Sequence, residues 1–95
     1  MACEALGMAP EGGAHRLVED GVTALGGALP VNPSGGVLCT NPIGASGLIR
    51  VAEAALQVMG KAEERQVPGV KKALAHSWGA TIGFHTLMVL AGQPP

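Results

Sequence analysis

The chain has 95 residues, of which 47% are hydrophobic and 14% charged, and this composition excludes a disordered polar tail. The net charge of −1 at pH 7 excludes the basic footprint of a nucleic-acid-binding protein. No apolar run is long enough to cross a bilayer, and the first residues lack the basic and apolar regions of a signal peptide. Two cysteines without metal-ligand spacing predict a reduced, cytoplasmic setting.

The side chains available for a core are small. Trp78 and Phe84 are the only aromatic residues, and the 15 glycines increase the entropy that the chain loses on folding. A domain of this size buries only about 60–65% of the surface of its unfolded chain. We therefore expect that the chain is stabilised by contacts with other protein surfaces, either as part of a longer protein or as a subunit.

Residues 1–20 are predicted to form a helical lead-in. Helical propensity covers Cys3–Met8 and ends at a glycine and a proline, and a second short turn is predicted over Arg16–Asp20. Residues 21–47 are rich in glycine and proline and predict loops.

The strongest helix prediction is Leu48–Ala62, with Ser46 as its N-cap and Gly60 near its end. Its polar residues recur at intervals of three and four and form one narrow stripe, while the rest of the surface is apolar or small. This pattern predicts a helix that is covered on most sides, and the alternative is a hairpin helix in a small bundle. The stripe consists of Arg50, Glu53, Gln57 and Lys61.

Two strands are predicted after the helix. A charged surface loop over 62–69 ends in a Pro-Gly turn signal, and Val70–His76 then has strand character. A turn around Gly79 leads into a second strand over Thr81–Leu90, which is apolar on both faces towards its end.

Two glycine-rich motifs precede the helix, Asn32–Gly36 (NPSGG) and Asn41–Gly47 (NPIGASG). The second motif opens into the helix, whose N-terminus presents unpaired N–H groups to an oxyanion, a carbonyl or a phosphate. The pair resembles the NxSGG and GHPxGATG motifs near the C-terminal end of thiolases, in particular the lipid-transfer-associated thiolase-like branch.

The resemblance continues through Gly60–Pro68 (GKAEERQVP) and Ala73–Gly79 (ALAHSWG) and covers the chain from about Glu19 to its end. It implies an α/β protein, the C-terminal part of a thiolase-like fold, in which a buried central helix lies among layers with adjacent strands. On this basis residues 1–95 form a partial thiolase C-terminal domain: helical lead-in at 1–20, active-site loops at 21–47, buried helix at 48–62 and two strands at 70–91.

Asn41 stands where thiolases carry a histidine that binds the thioester oxygen and activates the nucleophilic cysteine. Asparagine is no base near neutral pH, but its amide can donate to an oxyanion. The alternative is a purely structural asparagine that satisfies the turn before Pro42.

His76 and Ser77 lie in the segment that resembles the final catalytic loop of the family. Active thiolases carry a proton-shuttling cysteine at the position of Ser77, and serine is a far poorer acid–base group. His76 is a candidate replacement base, although a structural, hydrogen-bonded histidine at a strand end remains the alternative. Together with Asn41 they are the predicted catalytic residues.

The resemblance also implies substrate contacts at Ser34, Gly35, Gly44 and Gly79. Cys39 could be a nucleophile near a helix N-terminus, but a buried, packing cysteine is favoured because the acyl-accepting cysteine of thiolases belongs to their N-terminal half. His15 and His85 are predicted to be isolated and structural. No metal ligands are predicted.

The leading functional prediction is that the chain is part of a thiolase-like acyl-CoA acyltransferase and supplies the oxyanion and acid–base side of its site. The chain is expected to be inactive by itself. The predicted substrate is a CoA thioester, and no covalently bound cofactor is predicted. The alternatives are a non-thiolytic thiolase-fold subunit, acting as an aldolase or as a scaffold for a zinc-ribbon/OB-fold partner, and an inactive truncated product. Expected partners are acyl-CoA and either a second copy or the thiolase N-terminal half, with no nucleic acid and no membrane.

Overall fold

The computed structural model describes residues 2–39, 42–79, 81 and 83–92. The chain divides into two units, Met1–Val31 and Asn32–Pro95. No helix in the described part of the chain is long and apolar enough to cross a bilayer.

The first unit contains two short helices, α1 (Ala2–Ala5) and α2 (Ala14–Glu19). The Glu4 side chain accepts a hydrogen bond of 3.3 Å from the backbone N–H of Ala14, which ties the first turn of α2 to α1. Both helices are short because glycines follow them closely in the sequence. The glycine-rich segment beyond α2 folds back on itself through backbone hydrogen bonds.

The second unit begins with two short 3-10 turns, Gly36–Leu38 and Ile43–Ala45, and continues into the long helix α3 (Ser46–Met59). The predicted N-cap role of Ser46 is wrong: Ala45 holds the cap position, and no side chain caps the helix. The 3-10 turn runs directly into α3, so Ser46 already has helical dihedrals and belongs to the first turn.

The C-terminal end of α3 lies where the glycine signal predicted it. Gly60 has a φ of 70°, in the left-handed region that ends many helices. The N–H of Gly60 donates to the carbonyl of Gln57 at 3.2 Å, and the N–H of Lys61 donates to the carbonyl of Leu56 at 2.9 Å. These two bonds form a Schellman motif, so α3 stops at Met59 and does not reach Ala62 as predicted.

The strands β1 (Lys72–Gly79) and β2 (Phe84–Ala91) pair in antiparallel register as a two-stranded sheet. Ser77 pairs with Thr86 and Gly79 with Phe84, so the predicted turn around Gly79 is wrong and β1 continues past His76 to Gly79. Pairing to β2 satisfies this backbone, which outweighs the local turn signal of the glycine.

Alternation along the strands gives the hairpin two different faces. One face contains Ala75 and Ser77 and packs against α3, and Ala75 is buried there. The other face contains His76, Trp78 and His85. On β2 every side chain except that of Leu90 is exposed.

The expected burial of α3 on most sides is not met within this chain. Ala54 and Gln57 are its buried residues, whereas Leu48 is 74% exposed and Met59 is 58% exposed. The hairpin covers one side of the helix, and the described residues supply no second layer for the remaining apolar side chains.

Candidate functional site

The Asn32–Gly36 motif forms a tight turn. The N–H of Gly35 donates to the carbonyl of Asn32 at 2.8 Å, and the proline at the second turn position fixes φ for that bend. Gly35 has a φ of 84°, and a Cβ at that position would collide with the Cys39 thiol. Ser34 Oγ accepts a hydrogen bond of 3.4 Å from the N–H of Gly36, so the predicted substrate-contact serine is oriented by its own loop.

Ser77 lies against the first turn of α3. The space that a Cβ on Gly47 would occupy is filled by the Ser77 hydroxyl, so the strand and the helix approach each other closely only because residue 47 is glycine. The first N–H groups of a helix have no partner inside the helix. At α3 the preceding 3-10 turn supplies one partner, since the N–H of Ser46 donates to the carbonyl of Ile43, and the Ser77 hydroxyl lies beside Gly47.

A small cleft lies next to this contact. Its volume is about 90 Å³, roughly the space of three water molecules. It brings together the turn of the first motif and the N-terminal half of α3. The lining residues are Ser34, Gly36, Val37, Pro42, Ser46, Ile49, Arg50 and Glu53.

Arg50 joins this cleft to the hairpin. Its Nη1 donates a 3.0 Å hydrogen bond to the backbone carbonyl of His76, so the guanidinium is held against β1 while its side chain lines the cleft. The sequence showed Arg50 only as part of the polar stripe of the helix. Arg50 lies beside Ser34 because of how the preceding loops fold. Those loops have no helical periodicity, so the sequence pattern could not predict this neighbour.

A second set of polar contacts fixes the other half of α3. Arg65 binds the Glu53 carboxylate through two hydrogen bonds of 3.1 and 3.0 Å. The hydrogen bond to Glu53, with the attraction between the opposite charges, raises the pKa of the Arg65 guanidinium above its ordinary value. Because Arg65 neutralises Glu53, Arg50 faces the cleft beside a carboxylate that is already paired.

Gln57 is the centre of these contacts and is only 5% exposed. Its amide nitrogen donates to the carbonyl of Arg65 at 2.7 Å, and its amide oxygen accepts from the N–H of Val67 at 2.9 Å. Gln66 returns a 3.0 Å bond to the backbone carbonyl of Gln57. The loop predicted to be a charged surface segment is therefore fastened to α3, and its Ala62 is fully buried.

His76 and Ser77 are not brought together. Neighbouring strand residues point to opposite faces, and Nε2 of His76 lies 2.9 Å from Nδ1 of His85 on the face that carries no helix. The prediction that His85 is isolated is wrong, because the register places it diagonally across from His76. Only knowledge of the register could have revealed this pair.

Gly44, Gly79 and Cys39 are not among the residues that line the cleft. Gly44 and Gly79 have open space where a Cβ would stand, so neither is held in a close contact within the chain. Asn41 lies outside the described residues. Cys39 is exposed rather than buried as predicted. Among the described residues no three histidine, cysteine or acidic side chains come together in a metal-binding group.

Comparison with known proteins matches the chain to a sterol carrier protein, an acetyl-CoA acetyltransferase and a lipid-transfer protein-like protein. The chain is 48% identical to sterol carrier protein 2 of Homo sapiens over 77 residues, which is 80% of this chain and 14% of that protein. It is 42% identical to an acetyl-CoA acetyltransferase of Methanothermobacter thermautotrophicus over 84 residues, 87% of this chain and 22% of that protein. A non-specific lipid-transfer protein-like 2 of Caenorhabditis elegans is 40% identical over 77 residues, 80% of this chain and 19% of that protein.

The chain spans less than a quarter of the length of these relatives, since it covers between 14% and 22% of them. The family model described as thiolase C-terminal domain-like matches residues 1–92. Helices with an adjacent antiparallel sheet agree with the expected α/β class. This chain belongs to the thiolase C-terminal domain-like family.

Proposed function

We propose that the chain forms one side of an acyl-CoA site in a thiolase-like acyltransferase, where it binds the thioester carbonyl. The observation that carries the proposal is the Ser77 hydroxyl packed over Gly47, at the N-terminus of α3. The similarity to an acetyl-CoA acetyltransferase supports a CoA thioester as the ligand.

In this proposal the hydroxyl of Ser77 donates a hydrogen bond to the carbonyl oxygen of the thioester. Donors at that position stabilise the negative charge that develops when the carbonyl carbon is attacked, or when an enolate forms beside it. Asn41 adds an amide donor. A serine hydroxyl is a poor proton carrier near neutral pH, so we assign Ser77 to polarising the carbonyl rather than to moving the proton.

The acyl-accepting nucleophile is assigned to a thiolase N-terminal half acting as the partner surface. The reaction is then Claisen condensation, or the reverse thiolytic cleavage of a 3-oxoacyl-CoA, through an acyl-cysteine on that partner. Ser34 and Gly35 support the ligand from the neighbouring turn. The catalytic role of His76 stays a prediction, since its ring lies on the face opposite Ser77.

A second candidate keeps the ligand and changes the chemistry. Serine at position 77 and asparagine at position 41 replace the cysteine and histidine that the thiolase motifs carry, and this favours a non-thiolytic subunit. Such a subunit would act as an aldolase or as a scaffold for a zinc-ribbon/OB-fold protein. A stoichiometric complex with such a protein, combined with absent thiolysis by the whole assembly, would favour this candidate over the first.

The test is a titration of the ¹⁵N-labelled chain with acetyl-CoA. We expect the amide signals of Gly47 and Ser77 to shift, and Ser77→Ala to weaken binding by about tenfold, the loss of one hydrogen bond to a polarised carbonyl. Thr23→Ala removes a hydroxyl from the other unit and is the matched control.

Equal binding by Ser77→Ala and the unsubstituted chain would contradict the proposed donor. Thiolysis of acetoacetyl-CoA by the 95-residue chain alone would contradict the assignment of the nucleophile to a partner.

A further inference from the structure

Arg50 carries a positive charge that no carboxylate in the described part of the chain balances. Its Nη1 donates to the backbone carbonyl of His76 at 3.0 Å, and that oxygen carries no net charge. Among the described residues Arg50 makes no ion pair and no other hydrogen bond. A guanidinium has five N–H donors, so four remain for water or a ligand. Arg50 is half-buried and lines the small cleft beside the first turn of α3.

The carboxylate in the same cleft, that of Glu53, is already bound. Arg65 donates to its two oxygens at 3.1 and 3.0 Å, and Gln57 Nε2 donates to it at 3.3 Å. The charge of Glu53 is therefore balanced by Arg65, and the charge of Arg50 is left over. Salt screens a partly buried charge less than an exposed one, so the cleft attracts an anion.

Two hydroxyl groups add donors to this cleft. Ser34 Oγ accepts the 3.4 Å bond from the N–H of Gly36, so its own proton is left to donate. The Ser46 side chain lines the cleft as well. A carboxylate has only acceptor atoms and binds guanidinium groups strongly, so this donor set fits it. The volume of about 90 Å³ is enough for a carboxylate group that displaces water.

We infer that the cleft is an anion subsite that takes the free carboxylate of a dicarboxylic acyl group. The inference rests on the acyl-CoA site proposed above, in which the Ser77 hydroxyl beside Gly47 binds the thioester carbonyl. Arg50 follows Gly47 by three residues, a rise of about 4.5 Å along the helix. Three carbon–carbon bonds of about 1.5 Å each cover a similar span, so a four-carbon acyl group matches this spacing.

The experiment compares two acyl-CoA ligands that differ only in their terminal group. Succinyl-CoA ends in a carboxylate, and succinamoyl-CoA ends in a neutral amide of nearly the same size. We expect the chain to bind succinyl-CoA about tenfold more tightly in calorimetric titrations, because hydrogen bonds between ionised groups are the stronger ones. In the ¹⁵N-labelled chain, the side-chain Nε–H signal of Arg50 should shift more with succinyl-CoA than with succinamoyl-CoA.

Arg50→Gln should abolish this tenfold preference. Glutamine keeps an N–H donor for the carbonyl of His76 but carries no charge. Lys61→Gln is the matched control, because it removes the same charge from an exposed position just beyond α3, and it should keep the preference. Far-ultraviolet circular dichroism should show that both variants are folded.

Equal affinities for the two ligands, in a chain that binds acetyl-CoA, would overturn the inference and leave the proposed function standing. If Arg50→Gln weakened acetyl-CoA and succinyl-CoA equally, Arg50 would bind the phosphates of CoA, and the inference would again be wrong. Loss of the preference in Lys61→Gln would show a long-range charge effect in place of a subsite. Absent binding of all three ligands would contradict the proposed function and this inference together.

Discussion

The two halves of α3 are held in different ways. Around Glu53 and Gln57 the helix is fastened by a bidentate ion pair, by buried amide hydrogen bonds and by the Schellman motif at Gly60. At its N-terminal end no side chain caps the helix, and Leu48 and Ile49 are largely exposed. There the restraints are the close approach of Ser77 to Gly47 and the hydrogen bond from Arg50 to the carbonyl of His76.

The difference indicates that the C-terminal half of α3 contributes stability and the N-terminal half contributes recognition. A helix fixed at its C-terminal half keeps its first turn in a defined place beside the Ser77 hydroxyl. Binding geometry is more precise when it rests on a rigid element, and a hydroxyl held beside such an element can donate to a carbonyl ligand. The two halves therefore contribute stability and recognition separately, and substitutions can test each half alone.

The largest effect is expected from Gln57→Ala. This change leaves the partly buried N–H of Val67 and carbonyl of Arg65 without their side-chain partner, and an unsatisfied group of this kind costs about 1–3 kcal/mol. We expect the free energy of unfolding to fall by about 3 kcal/mol, measured by urea denaturation. Lys61→Ala, at an exposed position of the same stripe, is the control, and a loss below about 1 kcal/mol in Gln57→Ala would show that the network does not anchor the helix.

Gly47→Ala tests the contact that holds the N-terminal end of α3. The new Cβ would collide with the Ser77 hydroxyl, and the cost of overpacking exceeds the helix propensity gained from alanine, giving a net loss of about 1 kcal/mol. Gly44→Ala is the matched control because open space surrounds its Cβ position. Adding Ser77→Ala should recover stability in a double-mutant cycle. Additive effects of the two substitutions would contradict the contact.

Arg65→Lys tests the ion pair of the anchored half. Lysine cannot reproduce the two parallel hydrogen bonds to Glu53, so we expect a smaller shift of the urea midpoint than in Gln57→Ala. The pKa of Arg65 is raised in the folded chain. The stabilisation by the Arg65–Glu53 ion pair is therefore complete at any pH below the ordinary pKa of arginine, and it is lost only as the pH rises through the raised pKa.

The difference between Arg65→Lys and the unsubstituted chain should therefore stay constant between about pH 6 and 9. A difference that changes across this window would indicate another titrating partner of Glu53. High salt should narrow the difference, because part of it is an attraction between partly exposed charges.

The smallest effect is expected from Ser34→Ala at the cleft. The bond from the N–H of Gly36 to Ser34 Oγ is long, at 3.4 Å, so its loss should cost about 0.5 kcal/mol or less. Acetyl-CoA binding should weaken more than stability does, if Ser34 contacts the ligand as proposed. Parallel calorimetric measurements of unfolding and of binding separate the two, and a stability loss without a binding loss would remove Ser34 from the site.

The sequence predicted the structure best where a single residue type determines the backbone conformation. Gly60 ended the helix as expected because glycine adopts the left-handed conformation without a steric cost. The helix start was misjudged because a 3-10 turn leads into it, and the dihedrals of Ala45 and Ser46 leave no mark in the residue types.

Features that join distant segments could not be predicted. Gln57 belongs to a polar stripe that indicates solvent exposure, but the loop eight to ten residues further on buries it. The His76–His85 pair requires the strand register, and the contact of Ser77 with Gly47 requires the packing of the hairpin on α3. Local periodicity contains none of this information, although the family resemblance correctly indicated the fold.

Strand β2 has a consequence for the protein in concentrated solution. Its sequence FHTLMVLA contains no lysine, acidic residue or proline, and Val89 is 67% exposed. Such a strand, paired on one side in the two-stranded sheet, offers a template for adding strands from other molecules. We therefore expect aggregation through β2 to limit the usable concentration, and a gatekeeper charge such as Val89→Lys to raise that limit.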